Sequence, residues 1–245
     1  MTREPGTPLV EVSELGFAFG AHEVLDLRHL AIARGEAVLL VGDNGSGKTT
    51  LLKILAGLLV ATRGVFRCLG SPMAPLQAAR FCRGRHVYLH QSPYMFDGTV
   101  EDNVAYGLKQ RGRDVAQRRI EIRDMLAWAE LDHLVHRPAR RLSTGEQQRV
   151  ALTRARILAP SLLLLDEITA NMDADSRRRT HAMIEDLRQA GSSVVFATHD
   201  HGAIDALCDQ RLALSNGRLC AVPASNGADV IPLHRDAASP GTERP

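Results

Sequence analysis

The run Ala37-Val38-Leu39-Leu40-Val41 leads directly into Gly42-Asp43-Asn44-Gly45-Ser46-Gly47-Lys48-Thr49 and then Thr50-Leu51-Leu52. A short, continuous apolar run reads as a strand buried on both faces. The glycine-rich stretch after it fits G-x-x-x-x-G-K-[ST], and Thr49–Ala56 reads as a helix ended by Gly57. Strand, glycine turn and helix in that order form a phosphate cradle. Glycines reach dihedrals that turn successive N–H groups inward, and the helix start adds its positive end. The pattern gives Lys48 the β- and γ-phosphates and Thr49 a Mg2+ ion.

Outward from this stretch the chain reads as α/β. Leu9–Phe19, Leu27–Ala33, Val65–Leu69 and His86–His90 read as strands. The segment from Gln91 to Leu142 is helical in period and rich in arginine. Within it, Asp114–Leu131 places Val115, Ile122, Met125, Leu126 and Ala129 on one helical face. Arg111, Arg113, Arg118, Arg119 and Arg123 read as a solvated surface of that insertion. Further on, Gly145–Leu158 and Asp173–Ala190 read as helices, and Leu162–Leu165, Val194–Thr198 and Arg211–Leu214 as strands. Strands separated by helices imply a mostly parallel sheet. After Ala221 the composition turns to Pro, Ser, Gly, Asn and Asp, and Ala237–Pro245 reads as a disordered tail.

Composition narrows the function. The 245 residues carry a net charge of +2 and only 4% aromatics. That balance gives no electrostatic footprint for nucleic acid and no aromatic surface for single strands. Cys68, Cys82, Cys208 and Cys220 show no C-x-x-C spacing, so reduced thiols are expected. The N-terminus lacks a signal-peptide core, and the longest apolar stretches, around Leu51–Ala61 and Ile157–Leu165, fall short of a membrane span. The only lysines are Lys48, Lys53 and Lys109, and one of them occupies the phosphate-binding position.

Leu162-Leu163-Leu164-Leu165 ends in Asp166-Glu167. Carboxylates closing a buried strand are costly unless they face a site, and open α/β sheets bind ligands at that edge. Asp166 fits a Mg2+-organising role, and Glu167 a general base that orients and deprotonates water.

A third segment, Leu142-Ser143-Thr144-Gly145-Glu146-Gln147-Gln148-Arg149, resembles the signature motif of ATP-binding cassette (ABC) ATPases. The three motifs stand in that family's order and spacing, and the resemblance covers about Leu9 to Ala221. It implies a P-loop NTPase with a RecA-like core, an N-terminal antiparallel β-subdomain and a helical signature subdomain. It further implies one cassette over residues 7–222, the helical part inserted at about 92–158, and a short flexible tail at 223–245. By the same resemblance Phe19 stacks on adenine, with its neighbour Phe17 as the alternative for that role, and Gly42 through Thr50 bind ATP. Gln91 meets Mg2+ and the attacking water, and His199 contacts the γ-phosphate. Ala170-Asn171-Met172-Asp173 crosses between subunits. Thr144 and Ile168 depart from the glycine and proline usual there. Thr144 restricts the backbone beside the signature, whereas Ile168 removes no catalytic atom.

In the family two cassettes pair head to tail, so Ser143, Gly145 and Glu146 of one copy serve the nucleotide of the other. The resemblance implies an ATPase peripheral to the cytoplasmic face of the cell membrane, using ATP and Mg2+. Its implied partners are a second copy, transmembrane permease subunits and an extracytoplasmic solute-binding protein. Tyr94, Met95 and Phe96 are expected to receive a permease helix. The stretch Phe96–Gly107 resembles importers of small oxyanions such as tungstate or phosphate. The alternatives are an ATPase of a lipid or other exporter and a soluble ABC ATPase acting on DNA or ribosomes. Lys48→Arg keeps the charge but misfits a compact phosphate cradle. Phosphate-release assays are expected to show loss of hydrolysis in that variant.

Overall fold

The computed structural model describes residues 7–109, 115–198, 204–221 and 231–232. Its elements begin with β1 (Val10–Phe19), β2 (His22–Ile32), β3 (Ala37–Val41), α1 (Lys48–Leu55), β4 (Arg63–Cys68), β5 (Ser71–Met73) and α2 (Pro75–Cys82). Then come β6 (His86–His90), α3 (Val100–Lys109), α4 (Val115–Trp128), α5 (Thr144–Leu158), β7 (Leu162–Asp166) and α6 (Ala174–Gln189). The chain closes with β8 (Ser193–Ala197), β9 (Gln210–Ser215), β10 (Arg218–Ala221) and β11 (Ile231–Pro232).

Two sheets result. An antiparallel sheet has the order β2-β1-β4-β5, and a seven-stranded sheet has the order β11-β10-β9-β3-β8-β7-β6. In the larger sheet β9, β3, β8, β7 and β6 are parallel, whereas β10 and β11 pair antiparallel. This is the mixed α/β core, with an antiparallel β-subdomain and a helical subdomain, that the motifs imply.

The apolar strands have no polar face because both faces are covered. Val38, Leu40, Leu162, Leu164, Val195 and Ala197 point into the core shared with α1 and the antiparallel sheet. Their neighbours Leu39, Val41, Leu163, Leu165, Val194 and Phe196 point into a second core built with α3, α4, α5 and α6. Alternation with period two therefore decides which helix each residue meets. Asp166 follows Leu162 and Leu164 in phase, which places it on the face that α1 covers.

Several boundaries move for physical reasons. β2 begins at His22, well before the apolar run from Leu27, because its polar first half pairs with β1 through Phe19 and His22. β5 and α2 interrupt a stretch without strong periodicity, and α2 starts with Pro75 at its first turn while the Gln77 side chain accepts from the Ala74 N–H at 3.1 Å. α5 begins at Thr144, which sits exposed in the first turn after the N-cap Ser143. Helical dihedrals suit threonine there, so the departure from glycine introduces no backbone strain. Met95, expected to face a partner, is instead 5% exposed and packs in the second core. Ile168, in place of the usual proline, is buried in that same core. Ile231 and Pro232 pair with β10. The remainder of 223–245 lies outside the described residues, as do Arg111 and Arg113. Arg119 and Arg123 are exposed. Among the described residues no helix is long and apolar enough to cross a membrane.

Leu39 is fully buried between β8 and β9. Leu39→Ala is expected to cost about 2–5 kcal/mol, seen as a lower urea midpoint with little change in the slope of the transition.

Candidate functional site

Parallel pairing brings the C-terminal ends of β3 and β7 to one sheet edge, with β8 between them. The loop after β3 and the residues after β7 enclose a cavity of about 190 Å³, lined by Val24, Asn44, Gly45, Gly47, Lys48, Thr49, Thr50, Asp166 and Glu167. Residues far apart in sequence meet here. The Thr49 hydroxyl donates to Asp166 Oδ2 at 2.7 Å. The loop needs its glycines. A side chain at Gly42 would run into the carbonyl of Leu214, and one at Gly47, where φ is +106°, would lie 2.7 Å from Leu25 Cδ2.

The cavity carries the electrostatics of an anion site. Lys48 is 7% exposed, and its ammonium donates to the carbonyls of Gly42 at 2.6 Å and Asp43 at 2.9 Å. Among the described residues it forms no ion pair. A buried ammonium held only by carbonyls is stabilised further by an incoming anion. Behind it, α1 starts at Gly47 with no side-chain cap. The first-turn N–H groups therefore lack intrahelical acceptors and suit phosphate oxygens. Thr49 and Asp166 supply two hard oxygen donors, the type and number Mg2+ takes when phosphates complete its shell. Among the described residues no cluster of three or more His, Cys, Asp or Glu forms a self-sufficient metal site.

Asp166 is 3% exposed, and its Oδ2 also accepts from the Tyr88 hydroxyl at 2.7 Å. Burial, and then Asp166, push the Tyr88 phenol well above its ordinary pKa, so it stays a donor. Glu167 sits in the left-handed region at φ 54°, a conformation costing a non-glycine residue about 1–3 kcal/mol. Its backbone is held there by its N–H donating to Ala197 O at 2.9 Å, and by Ala170 N–H donating to its carbonyl at 3.1 Å. The Thr198 hydroxyl donates to Glu167 Oε2 at 3.2 Å.

Other candidates lie apart. Phe19 is 58% exposed at the β1–β2 turn and stands edge-on to the buried Phe17 ring at 4.8 Å. Neither Phe19 nor Gln91 lines the cavity. Gln91 is half-buried just after β6, and its carbonyl accepts from the fully buried Gln148 amide at 2.7 Å. Gly42, Asp43 and Ser46 shape the loop without lining the cavity. His199 lies outside the described residues. Ser143 and Glu146 form a capping box on α5: Ser143 N–H donates to Glu146 Oε2 at 2.7 Å, and Glu146 N–H to Ser143 Oγ at 3.4 Å. Asp173 caps α6 by accepting from the Ser176 N–H and hydroxyl, each at 2.8 Å.

Sequence reading misses Tyr88, Thr198 and Gln148. Each sits one strand or helix away from the residue it holds, and only the strand order brings them together. It also misses the steric reason for Gly145: a Cβ there would lie 2.7 Å from Ser176 Oγ.

The ABC transporter family profile matches residues 25–170. The lipoprotein-releasing system ATP-binding protein LolD 2 of Rhodospirillum rubrum is 38% identical over 86% of this chain and 96% of its own length. The sulfate/thiosulfate import ATP-binding protein CysA of Nephroselmis olivacea is 35% identical over 85% of this chain, which spans 60% of that relative. In structure, cbiO1 of Clostridium perfringens, part of the ABC transporter complex cbiONQ, superposes with a TM-score of 0.78 at 25% identity, covering 87% of each chain. These relatives differ in what they handle, so the likeness extends beyond tungstate- or phosphate-type importers.

Gly145→Ala is expected to displace Ser176 and loosen the α5–α6 contact, at about 1–3 kcal/mol. Thermal melts in a Ser176→Gly background are expected to recover most of that loss, the non-additivity that marks a direct contact.

Proposed function

Since the chain belongs to the ABC transporter family and carries its ATP-hydrolysing cassette, we propose that it drives a separate permease through an ATP-dependent pairing of two copies. The observation that carries this reading is the meeting of Thr49 and Asp166 at 2.7 Å beside the buried Lys48. The cassette is taken as residues 7–222 with the helical insertion at about 92–158. The chain acts at the cytoplasmic face of the membrane.

In this reading Lys48 and the first-turn N–H groups of α1 bind the phosphates of ATP, with Asn44, Gly45 and Thr50 around them. Phe19 stacks on the adenine. Thr49 and Asp166 would hold Mg2+, which when bound would neutralise charge on the phosphate oxygens. Glu167 orients the attacking water and takes its proton. The strained backbone aims that carboxylate, and Thr198 steadies it. Gln91 and His199 act on the γ-phosphate side. Gln91 reaches the site only when the segment after β6 rearranges, because Gln148 holds its backbone aside. Ser143, Gly145 and Glu146 meet the nucleotide held by the other copy, giving two composite sites in a two-fold pair. ATP favours the closed pair and its hydrolysis releases it.

The permease surface is an apolar groove of about 710 Å³ walled by β6, with Tyr94, Phe96, Tyr106, Arg154 and Leu158 among its lining. Tyr94 is 68% exposed, and an exposed apolar cleft of this size suits a partner helix. For cargo, we read import of a small solute such as an oxyanion, with a solute-binding protein outside the membrane. The sulfate/thiosulfate import relative supports this. Lipoprotein release is the second reading, favoured by the match to LolD 2 over 96% of its length. Copurification of the permease, followed by ATPase assays with a solute-loaded binding protein or with lipoprotein, separates the two.

Glu167→Gln is expected to bind ATP, to hydrolyse it about 10²–10⁴-fold more slowly, and to run as a dimer on size exclusion in ATP. Hydrolysis at the wild-type rate would show that Glu167 is not the base.

A further inference from the structure

Asp166 receives two hydroxyl protons on the same oxygen. One comes from Thr49 on α1 and the other from Tyr88 on β6, each at 2.7 Å. The two donors reach it from different sides. Thr49 lines the cavity, whereas Tyr88 does not. Tyr88 pairs with Leu164 in the parallel ladder, two residues before Asp166. Its half-buried ring packs against the core shared with α1, and the Lys53 ammonium stands 6.0 Å from the ring centroid.

Two donors matter because the terminal torsion of an aspartate is broad. A single hydrogen bond restrains that torsion weakly, because a mobile donor can follow the oxygen. A second donor, anchored on a separate element, holds the same oxygen from another side, and with Oδ2 held the whole plane is held. Thr49 alone is a poor anchor once it serves a cation, because its oxygen then answers to two partners. The Tyr88 phenol has no such second duty. It is carried by a rigid ring on a strand hydrogen-bonded to β7 itself. It therefore holds Asp166 in one orientation whether or not the cavity is filled.

We propose that Tyr88 is a positioning residue for the divalent cation site: its hydroxyl holds Asp166 in the orientation in which the carboxylate would serve a cation bound with the nucleotide. The inference rests on the assignment of Thr49 and Asp166 to that ion. Tyr88 touches neither nucleotide nor metal, and its effect passes wholly through Asp166.

Tyr88→Phe removes the hydroxyl and keeps the ring. Three measurements on the full chain test the role: binding of a fluorescent ATP analogue in EDTA, Mn2+ binding by electron paramagnetic resonance with a non-hydrolysable ATP analogue, and hydrolysis against Mg2+ concentration. Metal-free nucleotide affinity and the melting temperature are expected to stay close to wild type. Mn2+ affinity is expected to fall about tenfold or more, and the Mg2+ concentration for half-maximal hydrolysis to rise in step, with much of the rate recovered at saturating Mg2+. Unchanged Mn2+ affinity in Tyr88→Phe overturns the proposal. So does a parallel loss of metal-free nucleotide binding, which marks Tyr88 as merely structural. If the wild-type protein itself shows no metal-dependent gain, the Thr49–Asp166 assignment fails, and the Tyr88 role with it.

Discussion

The chain must hold a carboxylate, Asp166, almost wholly out of water at the end of a strand covered on both faces. Such a group is tolerated only where donors replace its lost hydration. The donors come from α1 and from β6, so the site exists only when both elements are docked on β7. α1 reaches it because the loop after β3 turns through glycine dihedrals that other residues rarely adopt. β6 reaches it because it is the parallel neighbour of β7. The period of the strand then decides the rest: one residue earlier or later, the carboxylate would face the helices of the second core.

Much of this was legible in the residues. β3, β7 and β8 declared themselves as unbroken apolar runs, because a strand with no solvent face has no polar phase. The phosphate loop was legible because its demands are local: glycines for turning, one lysine, one hydroxyl. What escaped is what pairing decides. Tyr88 reads as one more apolar strand residue until β6 is laid beside β7. Gly145 reads as a nucleotide contact until α6 brings Ser176 against it. Met95 reads as exposed together with Tyr94 and Phe96, yet three consecutive loop residues cannot all face one way, and the middle one turned to the core.

The helix starts make a further division. α5 and α6 are closed by their own side chains, Ser143 with Glu146 and Asp173 respectively, each cap contributing about 1 kcal/mol. α1 starts instead on a left-handed glycine, with a buried lysine beside it and no cap. A fold that spends capping residues on two long helices and omits one at the phosphate loop leaves that end for an external anion. The same contrast bears on the signature segment. Ser143 and Glu146 already satisfy one another in the single chain, so α5 is stable without a second copy. In that capping box Ser143 Oγ only accepts, so its hydroxyl proton and the first-turn N–H groups are the donors this end of α5 could offer in the proposed pair.

The proposed pairing of two copies has a counterpart in how the described residues are distributed. Lys48, Thr49, Asp166 and Glu167 share one cavity, but the signature residues of the same chain do not line it. The apolar groove beside β6 is likewise walled on one side by the strand that carries Tyr88 and left open on the other. β6 therefore stands between the surface proposed for the permease and the carboxylate proposed for the metal. Gln91, at the end of that strand, is tied by its carbonyl to Gln148 in the signature helix. A partner that presses on the groove meets β6 and α5 together. The buried Gln148 ties the two elements together through hydrogen bonds to the carbonyls of both His90 and Gln91, and the rearrangement proposed for Gln91 would break the second of these. In the proposed assembly a partner seated in the groove would lie one strand from Asp166, and beside the helix whose buried amide holds Gln91.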